Sequence, residues 1–333
     1  MKSLVTGGTG FIGRQLVRRL VERDGAGSVT CLVKPPAKPA EAEALARFEA
    51  LGVTLLRGDL LDAPVSRTPA ARVDVVFHLA ANIDTEAPER DHRVNDRGTA
   101  NLIAWLAPVL AGCRIVYTSS VAVIDRGGPA DGPMREDAVF RPRTPYGLTK
   151  LRGERIVRER ADLFGYTWTI VRLPTVYGPG EKPGGMFDLL IQAARDGSLV
   201  SRLNWPGRTS ILYLDDAAAI LDALARRPDA SDELFMVSSG ENPTVADISR
   251  AAGDAVGRPV RPIRLPPVFW RALRAIAWNP LVRKAMPQAV FVAYWRLTLI
   301  IDDGFWCDPA KLLALYNDPV VLLLEGLRRT LEG

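Results

Sequence analysis

The sequence has few of the residues that build metal centres and disulfide frameworks. Among its 333 residues are three cysteines and two histidines. Cys31, Cys113 and Cys307 lie far apart and form no Cys-x-x-Cys pair, and His78 and His92 add no metal-ligand spacing. This pattern argues against a structural zinc site and against a disulfide scaffold. We expect no bound metal and a reducing, cytoplasmic compartment.

Long apolar runs are also missing. The longest strongly apolar tract, residues 290–301, is interrupted by Arg296 and falls short of the roughly 20 residues that span a bilayer. Gly7 follows directly after the first six residues, which leaves no room for the apolar core of a signal peptide. We therefore expect neither a membrane-spanning helix nor a secretory leader.

The charge excess is small but unevenly placed. The chain has 43 Lys and Arg against 38 Asp and Glu, a formal net charge of +5. Segment 255–301 contains eight Lys and Arg and no Asp or Glu, together with six Phe, Trp and Tyr residues, so the rest of the chain is slightly acidic. No nucleic-acid-binding module is recognisable, and we expect no nucleic-acid partner.

Short apolar segments alternate with helical patterns through the first half of the chain. The predicted strands are 2–6, 29–33, 53–56, 73–79, 114–118 and 166–172. The predicted helices are 11–24, 41–50, 91–107 and a long one from residue 145. This alternation predicts βαβ units and a parallel, doubly wound α/β sheet. After about residue 175 the pattern loosens, which indicates a smaller C-terminal lobe.

Three glycines stand between the first predicted strand and the first helix. Gly7, Gly10 and Gly13 have the spacing that allows a tight turn, a close approach to a pyrophosphate and a helix N-terminus aimed at the anion. A plain glycine-rich turn is the alternative, and the absence of a following Gly-Lys-Ser/Thr excludes a P-loop. We predict a Rossmann-type dinucleotide-binding domain in residues 1–175.

Later elements near 209–237 are expected to join that domain. Residues 176–333 would then form mainly a substrate-binding lobe, which includes the basic aromatic segment 255–301.

The end of the second strand bears on the choice of cofactor. NAD sites place a carboxylate there to hold the ribose 2′-hydroxyl. This chain has Lys34 at that point and no carboxylate. A lysine suits a 2′-phosphate, so we favour NADP(H), with NAD(H) as the alternative. Lys34 as a solvated loop charge is the other interpretation.

Three side chains suggest proton-transfer chemistry. Tyr146 and Lys150 lie four residues apart at the start of the long helix, and therefore on one helical face. The lysine charge is expected to lower the pKa of the phenol. Ser120 lies just after the predicted strand 114–118, at the carboxyl edge of the sheet, where ligands bind in open α/β sheets. We predict Ser120, Tyr146 and Lys150 as the catalytic residues.

Several further stretches add to these motifs. They are Gly58-Asp59-Leu60, His78-Leu79-Ala80-Ala81, Val94-Asn95-Asp96-Arg97-Gly98-Thr99, Arg172-Leu173-Pro174-Thr175-Val176-Tyr177-Gly178-Pro179-Gly180 and Tyr213-Leu214-Asp215-Asp216. With the glycine turn, Tyr117-Thr118-Ser119-Ser120 and the Tyr146–Lys150 pair, the chain resembles an extended short-chain dehydrogenase/reductase of the NAD-dependent epimerase/dehydratase-like superfamily.

The resemblance implies roles for individual residues at the cofactor. Phe11 and Ile12 would belong to the pyrophosphate turn, and Asp59 and Leu60 would sit at the adenine. Leu79, Ala80 and Ala81 would line the ribose and pyrophosphate side. Pro174 and Val176 would meet the nicotinamide amide.

Other implied roles concern the active-site helix. Asn95 would support this helix, while Tyr146 and Lys150 would also touch the cofactor. Ser120, rather than Ser119, would be the catalytic serine. We expect His78 to be a buried structural residue and His92 to lie on a helix surface.

The substrate is less well defined by the sequence. Sugar-nucleotide members of the family usually carry an Asn where this chain has Pro174-Thr175, and they usually retain NAD. We therefore expect an NADP(H)-dependent oxidoreductase that reduces a ketone or aldehyde, or oxidises the alcohol, of a largely hydrophobic or carrier-linked substrate. A nucleotide-sugar epimerase or dehydratase with tightly bound NAD is the alternative, and a non-catalytic cofactor-bound scaffold is a third.

Two expectations concern surfaces. Segment 255–301 is either a helical lid over the substrate or an element that contacts a membrane surface peripherally. Helices 91–107 and 145–163 could pair with a second copy, as in a family-like homodimer.

Overall fold

The computed structural model describes most of the chain. The described residues are 1–35, 38–62, 72–124, 132–277, 279, 281–282, 294, 297–298, 300–302 and 305–332. Part of the basic aromatic segment lies outside them. The residues concerned are Trp278, Arg283, Lys284, Phe291, Trp295 and Arg296.

The strands are short and mostly buried. In chain order they are β1 (Ser3–Thr6), β2 (Val29–Val33), β3 (Thr54–Arg57), β4 (Val75–His78), β5 (Arg114–Ser120), β6 (Thr167–Leu173), β7 (Thr175–Tyr177), β8 (Ile211–Tyr213) and β9 (Glu233–Met236).

The helices follow the strands in alternation through the first half. They are α1 (Phe11–Asp24), α2 (Pro39–Leu51), α3 (Arg93–Leu106), α4 (Pro145–Glu159), α5 (Ala161–Phe164), α6 (Met186–Arg195), α7 (Leu199–Arg202), α8 (Leu214–Arg226), α9 (Val245–Ala255), α10 (Pro267–Ala277), α11 (Ala310–Leu313) and α12 (Leu323–Glu332).

Seven strands form one parallel sheet in the order β3-β2-β1-β4-β5-β6-β9. The order reverses between β1 and β4, and such a switch point is where open α/β sheets bind ligands. The predicted Rossmann-type, doubly wound fold is therefore confirmed. From the stretch near 209–237, β9 extends this sheet at its edge and α8 packs on α1.

Apolar layers cover both faces of the sheet. On one face, Leu16 and Leu20 of α1 pack with Leu221 of α8. On the other face, Leu102 of α3 and Val157 of α4 pack over β4 and β5. Parallel strands buried on both faces are expected to be mostly apolar, which explains the run Val75-Val76-Phe77 in β4.

A smaller cluster lies beyond the sheet. The strands β7 and β8 pair in parallel, and helices α6, α9 and α12 pack around them. Its centre is Tyr177, whose ring stacks on Phe187 with centroids 4.1 Å apart. Within the described residues, no helix combines the length and the apolar character needed to cross a membrane.

Candidate active site

The glycine turn joins β1 to α1 at the switch point of the sheet. Gly7 has a φ of +72°, and a Cβ there would lie 2.6 Å from the backbone nitrogen of Ala80. A Cβ on Gly13 would collide with the carbonyl oxygen of Gly7. Both positions therefore require glycine, one for its conformation and the contact with the loop after β4, the other for the closeness of helix and turn.

The start of α1 is arranged to receive an anion. Gly10 precedes the helix without a side-chain cap, and the first turn carries no acidic residue. The N–H groups of this turn, including those of Phe11 and Ile12, point away from the helix and favour negative charge. A turn that a Cβ would obstruct, next to an uncapped helix N-terminus, fits a dinucleotide pyrophosphate.

The residues predicted to meet the adenine lie at the ends of β2 and β3. The backbone N–H of Gly58 donates to the carbonyl of Val33, which brings the loop after β3 next to the end of β2. Lys34 is exposed at this point. The Asp59 carboxylate accepts the N–H of Leu61 at 2.9 Å and Leu60 is buried against α3, so both predicted residues lie beside the sheet edge that carries the turn.

The loop after β4 lies directly against the glycine turn. The backbone N–H of Leu79 donates to the carbonyl of Thr6, and that of Ala80 donates to the Thr6 hydroxyl at 3.3 Å. Ala81 continues this loop towards Asn82. The sequence-predicted residues 79–81 are thus brought to the same edge as Gly7, Gly10 and Gly13.

Asn95 connects this loop to the active-site helix. It is fully buried on α3, accepts the N–H of Asn82 at 2.8 Å and donates to the carbonyl of Asn82 at 3.0 Å. Its amide also donates to Thr149 of α4 at 3.1 Å. The side chain contacts protein groups on both sides, as expected of a residue that supports α4.

The beginning of α4 is fixed by its sequence. Thr144 caps the helix by accepting the N–H of Gly147 at 3.1 Å, and Pro145 occupies the first position. A Cβ on Gly147 would collide with the carbonyl of Ala122, so the helix approaches the end of β5 closely. This approach brings the phenol of Tyr146 close enough to the Ser120 hydroxyl for the two to interact.

Lys150 lies one turn further along α4 and is almost completely buried. Its ammonium stands 4.2 Å from the centre of the Tyr117 ring. Burial lowers the pKa of Lys150 to about 7, and the negative charge of Glu154 opposes this shift. The structure therefore brings Ser120, Tyr146 and Lys150 together at the carboxyl end of β5.

The expected effect of the lysine on the phenol is not observed. Burial raises the pKa of Tyr146, and the hydrogen bond with Ser120 lowers it only partly. The expectation that the lysine charge lowers this pKa was wrong, because burial of the phenol is the larger effect. A raised pKa keeps Tyr146 protonated at neutral pH.

The residues predicted to meet the nicotinamide lie at the link from β6 to β7. Pro174 is the single residue between the two strands, and Val176 lies in the middle of β7. One of the two sheet neighbours of β6 is β5, with Leu173 opposite Ser120. Pro174 therefore lies next to the end of the strand that carries Ser120, the predicted catalytic serine.

The two histidines differ from each other in role. His78 is buried in β4, with Nδ1 2.7 Å from the Thr6 hydroxyl and Nε2 2.8 Å from the Thr99 hydroxyl. Burial, with a smaller effect of the Lys150 charge, lowers its pKa to about 3. It is a structural histidine, as expected.

His92 corrects an expectation. It is fully buried rather than exposed, because the turn before α3 folds under the loop after β4. Its Nδ1 donates to the carbonyl of Asn82 at 3.1 Å, and its ring centre lies 6.2 Å from that of Tyr146. Nε2 is buried without a hydrogen-bond partner among the described residues. Proximity to Tyr146 arises from tertiary packing, and no sequence pattern signals it.

A second group that sequence reasoning missed lies behind the predicted catalytic residues. The carboxylate of Glu154 on α4 accepts the Ser119 hydroxyl at 2.5 Å and two N–H groups of Arg172 at 2.9 Å each. All three side chains are buried. The spacing of Glu154 from Lys150, one helical turn, was the available signal.

The described residues contain no cluster of metal ligands. No group of three or more His, Cys, Asp or Glu side chains there is placed to hold an ion. Cys31, Cys113 and Cys307 are all buried and unpaired.

The parallel sheet, its switch point and the glycine turn define a Rossmann-like dinucleotide-binding protein. Residues 3–238 match the NAD dependent epimerase/dehydratase family. The chain belongs to that family, and is an NAD(P)-dependent enzyme of the extended short-chain dehydrogenase/reductase type.

Its relatives include both epimerases and reductases. UDP-glucose 4-epimerase of Mycolicibacterium smegmatis is 30% identical over 326 residues, covering 89% of this chain and 99% of that protein. The 2-alkyl-3-oxoalkanoate reductase of Stenotrophomonas maltophilia is 30% identical over 267 residues, covering 78% and 77%. Both proteins act on small molecules.

A solved structure shows the same fold over the whole chain. UDP-glucuronic acid 4-epimerase from Bacillus cereus, in complex with NAD, superposes with a TM-score of 0.75 at 21% identity. The match covers 100% of this chain and 96% of that one.

Proposed function

We propose that the protein is an NADP(H)-dependent reductase of a ketone or aldehyde on a largely apolar substrate. The observation that carries the proposal is the end of β2, where an exposed Lys34 stands in place of a carboxylate. A cation there attracts a 2′-phosphate, whereas a ribose 2′-hydroxyl is held by an acidic side chain.

The protonation states support the reductive direction. The cofactor supplies a hydride when bound, and the reduced carbonyl oxygen then needs a proton. Burial raises the pKa of Tyr146, so its phenol is protonated at neutral pH and can donate this proton to the substrate oxygen. Ser120 orients the substrate oxygen beside Tyr146, and Lys150 adds a positive charge that stabilises the developing oxyanion.

The proposed cofactor contacts follow the edge of the sheet. The backbone of the glycine turn with Phe11 and Ile12 would hold the pyrophosphate, and Asp59 and Leu60 would meet the adenine. Residues 79–81 would line the ribose. Lys150 would hold the nicotinamide ribose, and Pro174 and Val176 would meet the nicotinamide amide through backbone groups.

The substrate class is supported by one relative. The Stenotrophomonas maltophilia protein is named for reducing a 3-oxo group on an alkylated alkanoate. We propose a substrate of similar chemistry, a carbonyl next to one or more alkyl chains, either free or carried on a thioester.

A nucleotide-sugar epimerase is the second candidate. The observation in its favour is the match to UDP-glucose 4-epimerase, which extends over 99% of that relative. Such an enzyme would keep NAD tightly bound and return the hydride to the same sugar. Against it stands the same lysine at the end of β2.

The proposal also assigns a role to each part of the chain and a surface for dimer formation. Residues 1–175, with β9 and α8, would hold the cofactor, and most of 176–333 would hold the substrate. Helices α3 and α4 pack on each other on one face of the sheet and would pair with the same helices of a second copy.

Purified protein separates the two candidates. We expect little cofactor to be released on denaturation, oxidation of NADPH faster than of NADH with 2-alkyl-3-oxoalkanoates, and no conversion of UDP-glucose. Stoichiometric NAD in the purified protein, with UDP-glucose turnover that needs no added cofactor, would establish the epimerase instead.

A further inference from the structure

Helix α10 is apolar on two opposite faces. Trp270 and Ala277 are buried against Trp205, Tyr294 and Ile301, which fixes the helix to its lobe. The hydroxyl of Tyr294 adds a hydrogen bond to the carbonyl of Ala277. A surface helix normally shows polar residues on the side away from its core.

The outward face of α10 does not follow that rule. Val268, Phe269 and Ile276 are exposed there, with Ala272 between them. Their spacing of three, four and seven residues places them on one side of the helix. Leu281, just beyond the helix, is 75% exposed.

Helix α7 adds apolar surface at the same end of the lobe. The residues after it run beside the segment that leads into α10, with Asn204 and Leu265 joined by two hydrogen bonds. The rings of Trp205 and Trp270 lie 5.2 Å apart. Leu199 and Val200 of α7 are exposed. The apolar patch is defined as Leu199, Val200, Val268, Phe269, Ile276 and Leu281.

Four exposed arginines lie on α10 and on the segment that leads into it. The basic rim is defined as Arg258, Arg261, Arg264 and Arg271, all of them exposed. In the part of the chain that the structure describes, no carboxylate lies within ion-pair distance of any of the four. The sequence offers no Asp or Glu between residues 255 and 301. Among the described residues, the basic rim therefore presents positive charge without a carboxylate partner.

We propose that the apolar patch and the basic rim form a docking surface for an anionic lipid bilayer. Exposed apolar side chains flanked by arginines suit the interface of such a membrane, where the former enter the acyl boundary and the latter meet the headgroup charge. A symmetric contact between two copies would place one basic rim against the other, which like charges disfavour.

Docking at this surface would place the substrate-binding lobe next to the lipid bilayer, where an apolar substrate would be concentrated. The docking itself does not need the proposed reaction, since it rests on surface residues alone. Binding is measured without substrate or cofactor, so the failure of one proposal leaves the other standing.

Flotation of the full-length protein with vesicles tests the proposal. At low salt we expect binding to vesicles that contain phosphatidylglycerol, and about tenfold weaker binding to phosphatidylcholine alone. The double variants Phe269→Ser/Ile276→Ser and Arg264→Gln/Arg271→Gln should each bind the anionic vesicles about tenfold less tightly or worse.

Matched variants control for general loss of apolar or basic surface. Leu51→Ser/Leu163→Ser removes two apolar side chains that are exposed elsewhere, and Arg90→Gln/Arg97→Gln removes two exposed arginines near α3. Both should float like the wild type. A thermal melt of every variant verifies that each one is folded.

Three results would overturn the proposal. They are no flotation of the wild type with anionic vesicles, equal losses in patch and control variants, and unchanged binding in the patch variants. If the wild type is a dimer that does not bind vesicles, and Phe269→Ser/Ile276→Ser is a monomer, the apolar patch would instead be a contact between two copies of the chain.

Discussion

Glu154 and Arg172 form a buried, two-point ion pair directly behind the candidate active site. Nε and Nη2 of Arg172 each donate to one carboxylate oxygen of Glu154 at 2.9 Å, and both side chains are at most 2% exposed. The Ser119 hydroxyl donates to the same carboxylate. One carboxylate thus ties α4, which carries Tyr146, to β5, which ends at Ser120, and to β6, which ends just before Pro174.

Replacing this carboxylate should affect both stability and proton transfer. Glu154→Gln leaves Arg172 buried without a counter-charge, and we expect a loss of about 3–5 kcal/mol in the free energy of unfolding. The pKa of Lys150, already lowered to about 7, should fall further, because Glu154 raises it. Activity that needs the lysine cation should then decline at a lower pH than in the wild type.

A compensated variant separates structure from electrostatics. Glu154→Gln/Arg172→Met removes the unpaired charge, so the free energy of unfolding should largely recover. The pH limb of kcat should stay displaced, since His78, Tyr117 and Tyr146 around Lys150 are unchanged and carry no negative charge at neutral pH. A normal pH profile in this variant would mean that Glu154 has only a structural role.

Tyr146→Phe tests the proton donor directly. The phenyl ring keeps the packing of the first turn of α4 and removes the hydroxyl that meets Ser120. We expect kcat to fall by a factor of about 10²–10⁴, the usual contribution of a positioned acid. The dissociation constant for NADPH, measured by fluorescence titration, should change little. A near-normal kcat would show that another group donates the proton.

The parts of the site that are contiguous in sequence could be predicted, and the parts assembled by packing could not. Gly7 and Gly13 act within one turn, and Tyr146 with Lys150 within one helix, so spacing alone indicates them. His92 is buried only because the loop after β4 covers it. Glu154 shares its carboxylate with strands that lie 18 and 35 residues away in sequence. The direction of the Tyr146 shift also depends on burial, which the sequence does not show.

The fold, too, could be predicted where local sequence determines it and could not where packing determines it. Alternating apolar segments predicted the parallel sheet, because strands covered on both faces must be apolar along their length. In the C-terminal part, the apolar residues on the outward face of α10 are exposed, although a run of apolar residues at helical spacing usually predicts a buried face. Local periodicity cannot distinguish a face that packs on the protein from one left exposed.

His92 is expected to position the active-site loop. Its Nδ1 holds the carbonyl of Asn82, which also accepts from Asn95. In His92→Phe this hydrogen bond is lost inside the protein, and we expect kcat to fall about tenfold. His92→Asn, whose amide nitrogen can replace Nδ1, should recover most of the rate. Equal losses in both variants would argue that the ring itself, next to Tyr146, is required.

Lys34→Asp tests the preference for the phosphorylated cofactor. A carboxylate at the end of β2 should repel a 2′-phosphate and accept a ribose hydroxyl. We expect the ratio of kcat/KM for NADPH to that for NADH to fall by about tenfold to a hundredfold, the value of one charged hydrogen bond. Arg195→Asp, the same change of charge on the exposed side of α6, should leave the ratio as it is. An unchanged ratio in Lys34→Asp would refute the 2′-phosphate contact.

Asp222 should contribute strongly to stability from a place far from the active site. It is fully buried on α8 and accepts hydrogen bonds from Arg19 and Arg23 of α1 and from Arg226. Burial alone would raise its pKa, but the contacts with Arg226 and Arg23 outweigh it and hold the pKa below the usual value.

We expect Asp222→Asn to lose about 3 kcal/mol at pH 7, because a buried carboxylate with cationic partners is replaced by a neutral group. Asp229→Asn, at an exposed pair with Arg227, should stay within about 0.5 kcal/mol of the wild type. Since the folded pKa of Asp222 is depressed, its contribution is present above the unfolded pKa of about 3.9 and is lost as the pH falls through the folded pKa. Urea unfolding at neutral and acidic pH should therefore show the stabilities of the wild type and Asp222→Asn converge in acid, and a constant difference would contradict the role of the charge.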